Sequence, residues 1–151
     1  MDASGGDIFA KMKGGRWSMV FLGVVLAVAG LLGYVRFAPG DVGRWHVAPD
    51  VRADRDFSGG VVRRVETGAD GLTRLDTVAR ATPRTSVLAG SVAGQMVTYV
   101  TRSAVFGFPD YTTVQQVGDR LAIYARLRFG RSDMGVNKAR VGRWIKAIQA
   151  R

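Results

Sequence analysis

A chain of 151 residues and 16.3 kDa has room for one ordinary domain and a short appendage. It carries 22 Lys and Arg against 12 Asp and Glu, a formal charge of +10, and no cysteine. The missing thiols exclude disulfide frameworks, thiolate zinc sites, iron–sulfur clusters and cysteine nucleophiles. His46 is the only histidine and Glu66 the only glutamate, so His-rich metal sites and paired-glutamate chemistry are excluded too, and no metal or cofactor is expected.

Residues 1–16 read as a cytoplasmic basic tail holding Lys11, Lys13 and Arg16. From Trp17 to Val35 no charge occurs, and nineteen helical residues rise about 28 Å, close to a bilayer's hydrocarbon core. Trp17 and Tyr34 stand at the ends of the run, where amphipathic rings prefer the interface. A transmembrane anchor is therefore expected over residues 17–35. The cations ahead of it, against Arg36 and Arg44 behind, favour a cytoplasmic N-terminus, the layout of a signal anchor. A cleaved signal peptide is the rival reading, but the apolar run is long and Tyr34–Phe37 is a poor cleavage site. Gly23/Ala27 and Ala29/Gly33 are small-xxx-small pairs suited to packing against a membrane-protein partner, although Gly and Ala are common in any membrane helix.

Residues 36–59 read as an extended leader punctuated by Pro39, Gly40, Pro49 and Gly59. In it Trp45 is expected at lipid headgroups and His46 in solvent, with nothing nearby in sequence to make His46 a catalytic base. Residues 60–151 read as an α+β domain. Val61–Glu66 predicts a strand. Asp70 can cap a helix with Leu72, Leu75 and Ala79 at helical spacing, which Pro83 stops. Strands follow at Thr85–Leu88, Gln95–Phe106, Tyr111–Val117 and Arg120–Phe129, separated by short turns that imply an antiparallel meander. The last strand alternates, with Leu121, Ile123, Ala125, Leu127 and Phe129 on one side and Arg126 and Arg128 on the other. Ser132-Asp133 starts a final helix, whose stripe is Val141, Trp144, Ile145 and Ile148. The fold class expected is α+β: an N-terminal transmembrane helix, then a small domain with a mainly antiparallel sheet packed by two helices on its apolar face.

Arg102-Ser103, Phe108-Pro109-Asp110-Tyr111 and the run Gly130-Arg131-Ser132-Asp133-Met134-Gly135-Val136-Asn137, with Arg140 one turn on, resemble the signature of a bacterial family. That family is known as the domain of unknown function numbered 1499. The leader from Phe37 to His46 is similar to that of alphaproteobacterial members. The resemblance implies an envelope-associated domain and brings no reaction with it. Joined to the anchor, it places the expected protein in a bacterial inner membrane, single-pass, with its C-terminal domain periplasmic.

Gly130-x4-Gly135 superficially matches a phosphate loop, but Val136 and Asn137 stand where Lys and Ser/Thr would follow. The turn still opens a helix whose free N–H groups could seat an anion. Arg131 lies just before it, Arg126 and Arg128 project from the preceding strand, and Arg102 could join them. With Ser132, Asn137 and Arg140 these form a candidate site for an anionic lipid, a phosphate-bearing ligand or an acidic partner. The competing reading is structural. In it Asp133 is itself the helix-capping anion, Asp110 and Asp133 pair with Arg102 and Arg126, and Asn137 and Arg140 staple the helix to the strands, with Gly130 and Gly135 shaping the turn. Ser103 and Ser132 would be nucleophiles only with a base in reach. Arginines spread along the chain, outside the cytoplasm, argue against nucleic acid. The favoured function is a membrane-anchored periplasmic binding or accessory module, such as a subunit of a membrane complex or a binder of an anionic ligand. The alternative is an enzyme acting on an anionic substrate through Asp and Arg.

Overall fold

The computed structural model describes residues 15–150, so nearly all of the expected basic tail, Lys11 and Lys13 included, lies outside the described residues. The chain divides between Tyr34 and Val35 into two compact units. Helix α1 (Gly15–Phe37) fills the described part of the first and ends in the second. Its stretch from Trp17 to Phe37 is long and apolar enough to cross a membrane, and only 6% of its most apolar window is buried. A soluble-core helix would be covered, so this one has the character of an anchor or a signal sequence. Gly23, Ala27 and Ala29 are exposed on it and Gly33 is half-buried. At 3.6 residues per turn, Ala29 lies about 240° round from Gly23, so the two small-residue pairs point in different directions and do not form one packing face.

The second unit is an α+β layer. A short helix α2 (Val42–Trp45) and strand β1 (Arg55–Phe57) precede β2 (Gly60–Glu66) and helix α3 (Gly71–Ala81). Four strands follow, β3 (Thr85–Ser91), β4 (Met96–Arg102), β5 (Pro109–Val117) and β6 (Arg120–Leu127), then helix α4 (Val136–Gln149). All six strands form one antiparallel sheet in the order β1-β2-β6-β5-β4-β3. The expected α+β class, strand direction and helix placement are all present.

The differences have local causes. Strand β4 stops at Arg102 rather than Phe106 because the chain turns: Ser103 N donates to the Phe108 carbonyl at 2.9 Å and Gly107 N to that of Ser103 at 3.2 Å. Helix α4 starts at Val136, two residues beyond the position that a cap at Asp133 implies, because Met134 and Gly135 hold left-handed backbone, φ 51° and 79°. Strand β3 outruns its expected end through a bulge between Val87 and Ala89.

Alternation gives the sheet two unlike faces. On one, Val97, Tyr99, Val114, Leu121 and Ile123 are fully buried beneath Leu72 and Leu75 of α3 and Val141, Trp144 and Ile148 of α4. Two polar side chains bind across the seam where the helices meet it, although Thr112 Oγ1 and Arg140 Nε are buried there without a hydrogen-bond partner. Gln116 Oε1 accepts from Leu72 N at 2.9 Å, capping α3 from the sheet where Asp70 makes no cap. Trp144 Nε1 donates to Thr82 Oγ1 at 2.8 Å.

The other face is covered by the leader, which corrects the expectation that Trp45 and His46 lie free of the domain. Trp45 is 5% exposed, stacked on Tyr111 with ring centroids 4.1 Å apart. Its carbonyl accepts from Thr113 Oγ1 at 2.9 Å. His46 Nδ1 lies 2.9 Å from Thr98 Oγ1, itself 3.0 Å from Thr113 Oγ1. Gly90, at φ 84°, makes room: a β-carbon there would come within 2.5 Å of the His46 ring. The physical reason is that Val100, Leu88 and Tyr111 on this face need burial and both helices are on the other side.

Candidate functional site

The two faces divide the candidate residues. Asp110, Asn137 and Arg140 lie on the helix side, while Arg102, Arg126 and Arg128 lie on the leader side. Register fixes this, since Arg126 is paired with Tyr111 and Leu127 with Asp110. The suggested pairing of Asp110 with Arg102 or Arg126 is therefore replaced. Asp110 Oδ2 faces Arg140 Nη2 at 3.6 Å and accepts from Asn137 Nδ2 at 3.2 Å. Arg140 Nη2 also donates to Asn137 Oδ1. Arg140 and Asn137 are buried, so this cluster clamps α4 to β5 and offers little to an anion from solvent. Burial lifts the Asp110 carboxyl above its ordinary value, aided by the nearby Asp133 charge and opposed by Arg140. Burial likewise lowers the Arg140 guanidinium.

The start of α4 is occupied by the protein's own anion. Asp133 Oδ1 accepts from Gly135 N at 3.0 Å and Oδ2 from Asn137 N at 2.9 Å. Its carboxylate fills the seat that the free N–H groups would present to a ligand. The positive φ of Gly130 (100°) and Gly135 shapes the turn that brings Asp133 there. Ser132 Oγ accepts from Met134 N and Ser103 Oγ from Phe108 N, so both hydroxyls brace their own turns.

On the leader side, Arg128 Nη1 donates to the Pro39 carbonyl at 2.9 Å and to Tyr111 Oη at 3.1 Å, which pins the leader. Arg102 Nη1 donates to the Gly107 carbonyl at 3.2 Å. Arg126 is held more fully. Its Nη2 donates to the carbonyls of Trp45 (3.2 Å) and Arg44 (3.4 Å), and its guanidinium lies 4.9 Å from the Trp45 ring centroid and 4.4 Å from that of Tyr124. Arg44 sits 5.1 Å from the same Trp45 ring.

Arg126 and Arg44, with the Trp45 and Tyr124 rings, border an open groove of about 540 Å³ also lined by Phe57 and Arg131, among others, and by no carboxylate among the described residues. Arg44, Arg126 and Arg131 make no ion pair among the described residues, whereas Arg63, Arg74 and Arg80 are each paired with an aspartate. Stacking holds Arg126 with donors to spare, an arrangement that suits bidentate recognition of phosphate or carboxylate. Of the seven anion-site residues read from sequence, Arg126 and Arg131 border this groove. Arg102, Arg128, Ser132, Asn137 and Arg140 do not. Arg44, Trp45, Phe57 and Tyr124 were missed. The available signal was Tyr124 and Tyr111, large rings on the strand face opposite the expected core. No group of three or more His, Asp or Glu side chains able to hold a metal occurs among the described residues.

The family model for proteins of unknown function DUF1499 matches residues 60–148, which spans β2 through α4. The chain belongs to that family. No curated protein matches it.

Proposed function

We propose that this protein is a binding module, anchored by α1 in a bacterial inner membrane with its domain in the periplasm, whose arginine-lined groove takes an anionic ligand. One observation carries the reading: Arg44, Arg126 and Arg131 border a groove that Trp45 and Tyr124 also line, with no carboxylate among the described residues to neutralise them. Unpaired guanidiniums set against aromatic rings favour a ligand with a phosphate or carboxylate attached to a flat or apolar body. Binding fits the groove better than turnover, since its lining holds no His, Asp or Glu to move a proton. Service as an accessory subunit is compatible with the same groove, the ligand then being an acidic side chain of a partner.

The test is thermal melting of the full chain in detergent, with phenyl phosphate titrated at constant ionic strength. Phenyl phosphate should raise the melting temperature, chloride should not, and Arg131→Ala should lose most of the shift while melting like the parent without ligand. Arg126→Ala should lose it as well. If the parent does not respond, or both variants titrate like it, the groove is not an anion site.

A further inference from the structure

The β4–β5 turn presents an apolar tip. Val105 is 78% exposed, Phe106 52% and Phe108 37%, an exposed apolar cluster of the kind that marks an interaction surface. Phe106, Phe108 and Phe129 follow one another with centroids 5.6 and 6.3 Å apart. They rim a cavity of about 480 Å³ that Met134, 91% exposed, and Val136, 52% exposed, also border.

Beside this tip lies a second concavity, sharing Ser103 and Ala104 with the first, which Arg36, Arg84 and Arg102 line with no carboxylate among the described residues. None of the three makes an ion pair among the described residues. Their positions are built: Arg84 Nε donates to the Arg102 carbonyl at 3.2 Å, Arg102 N to that of Arg84 at 3.0 Å, and Arg102 Nη1 to that of Gly107 at 3.2 Å. Arg36 packs on Gly107, where a β-carbon would come within 3.1 Å of its Nη1. Gly107 also has φ 72°, so this position is restricted to glycine twice over.

Arg36 is the first charge after the uncharged run. If that run spans the bilayer, Arg36 marks the headgroup level, and the tip packed on it lies at that level as well. We infer that the Ser103–Phe108 turn is a second membrane contact, with Val105 and Phe106 entering the interface of an anionic phospholipid bilayer and Arg36, Arg84 and Arg102 meeting its phosphates. The inference rests on the anchor reading and is independent of the ligand groove. Apolar tip and basic flank side by side are what an anionic interface recognises, whereas a purely aqueous setting favours neither.

The absence of native cysteine makes single labels unambiguous. The full chain would be reconstituted into nanodiscs of phosphatidylglycerol or phosphatidylcholine, with Val105→Cys, Phe106→Cys or Asp119→Cys carrying a polarity-sensitive nitrobenzoxadiazole label. Asp119 is exposed at the far end of β5, about 30 Å away along a nine-residue strand. Labels at 105 and 106 should brighten several-fold, shift to the blue and be quenched by nitroxide lipids, more so in phosphatidylglycerol, while 119 stays water-like. Arg84→Ala with Arg102→Ala should erase the preference for phosphatidylglycerol. Water-like labels at all three sites in chains that co-purify with discs would overturn the tip contact alone. Failure of the chain to enter discs would overturn the anchor and the tip contact together.

Discussion

The sheet has two faces, and they are made by different physics. Beneath α3 and α4, alternate residues are apolar and fully buried, and the charged groups at the margin are paired or capped. Beneath the leader, the cluster is small, Trp45, Val100, Tyr111 and Leu88, and most of the contact is polar: Thr98, Thr113, Arg126 and Arg128 bind leader atoms. The first face holds the fold. The second holds a strap, and the strap's edge makes the groove. Paired charges border the first face, whereas Arg44, Arg126 and Arg131, which make no ion pair among the described residues, border the groove on the second.

The contrast is broken most severely from the helix side. Trp144 is 2% exposed and packs edge-on to Tyr99 at 5.7 Å, so Trp144→Ala should cost about 3–5 kcal/mol, read as a large fall in the urea midpoint. The equivalent cut on the leader side is milder. Trp45→Ala removes a stacked ring from a small cluster, and a cost at the low end of the range for such truncations, about 3 kcal/mol, is expected, with the near-ultraviolet circular dichroism of the rest of the core kept. That variant should also lose the groove's response to phenyl phosphate, because Arg126 loses one of its two rings. If Trp45→Ala unfolds the domain as fully as Trp144→Ala, the two faces are not separable.

The smallest effect is a slope. The folded Asp110 carboxyl is held above its ordinary value, chiefly by burial, so between the unfolded and folded pKa values the folded state binds more protons. Stability should fall as pH rises through that window and level off above it, and Asp110→Asn should flatten this part of the profile. Asp56 runs the other way. Hydrogen bonds from Lys138 and then Arg63 hold its carboxyl below the ordinary value, so its contribution is present at neutral pH and fades as pH falls through the acid range. Urea midpoints measured against pH for the parent and Asp110→Asn check both signs.

What was legible in the sequence follows the same division. The helix-side face announces itself through period: Leu121, Ile123 and Ala125 at alternate positions, and Val141, Trp144 and Ile148 at helical spacing, each reporting its own burial locally. The leader side depends on contacts such as His46 to Thr98 and Arg128 to Pro39, between residues far apart in the chain and invisible to any local pattern. Strand β1 is three residues, two of them charged, too short and polar to show a period. The Asp/Arg motif was found as a set but assigned the wrong partners, because the set spans both sides of a pleated strand. Asp110 and Tyr111 are neighbours in sequence and opposites in space. Asp133 as the anion at the start of α4 was one of two readings left open; its carboxylate accepts from the Gly135 and Asn137 amides, although the N-cap position itself is Gly135.

The bulge between Val87 and Ala89 falls in β3, one of the two outermost strands. A second copy sliding in alongside would find the donor and acceptor rhythm broken halfway. At the opposite margin β1 offers only three residues, with Arg55 and Asp56 among them. Neither rim is a template for adding strands, which guards the chain against stacking into fibres.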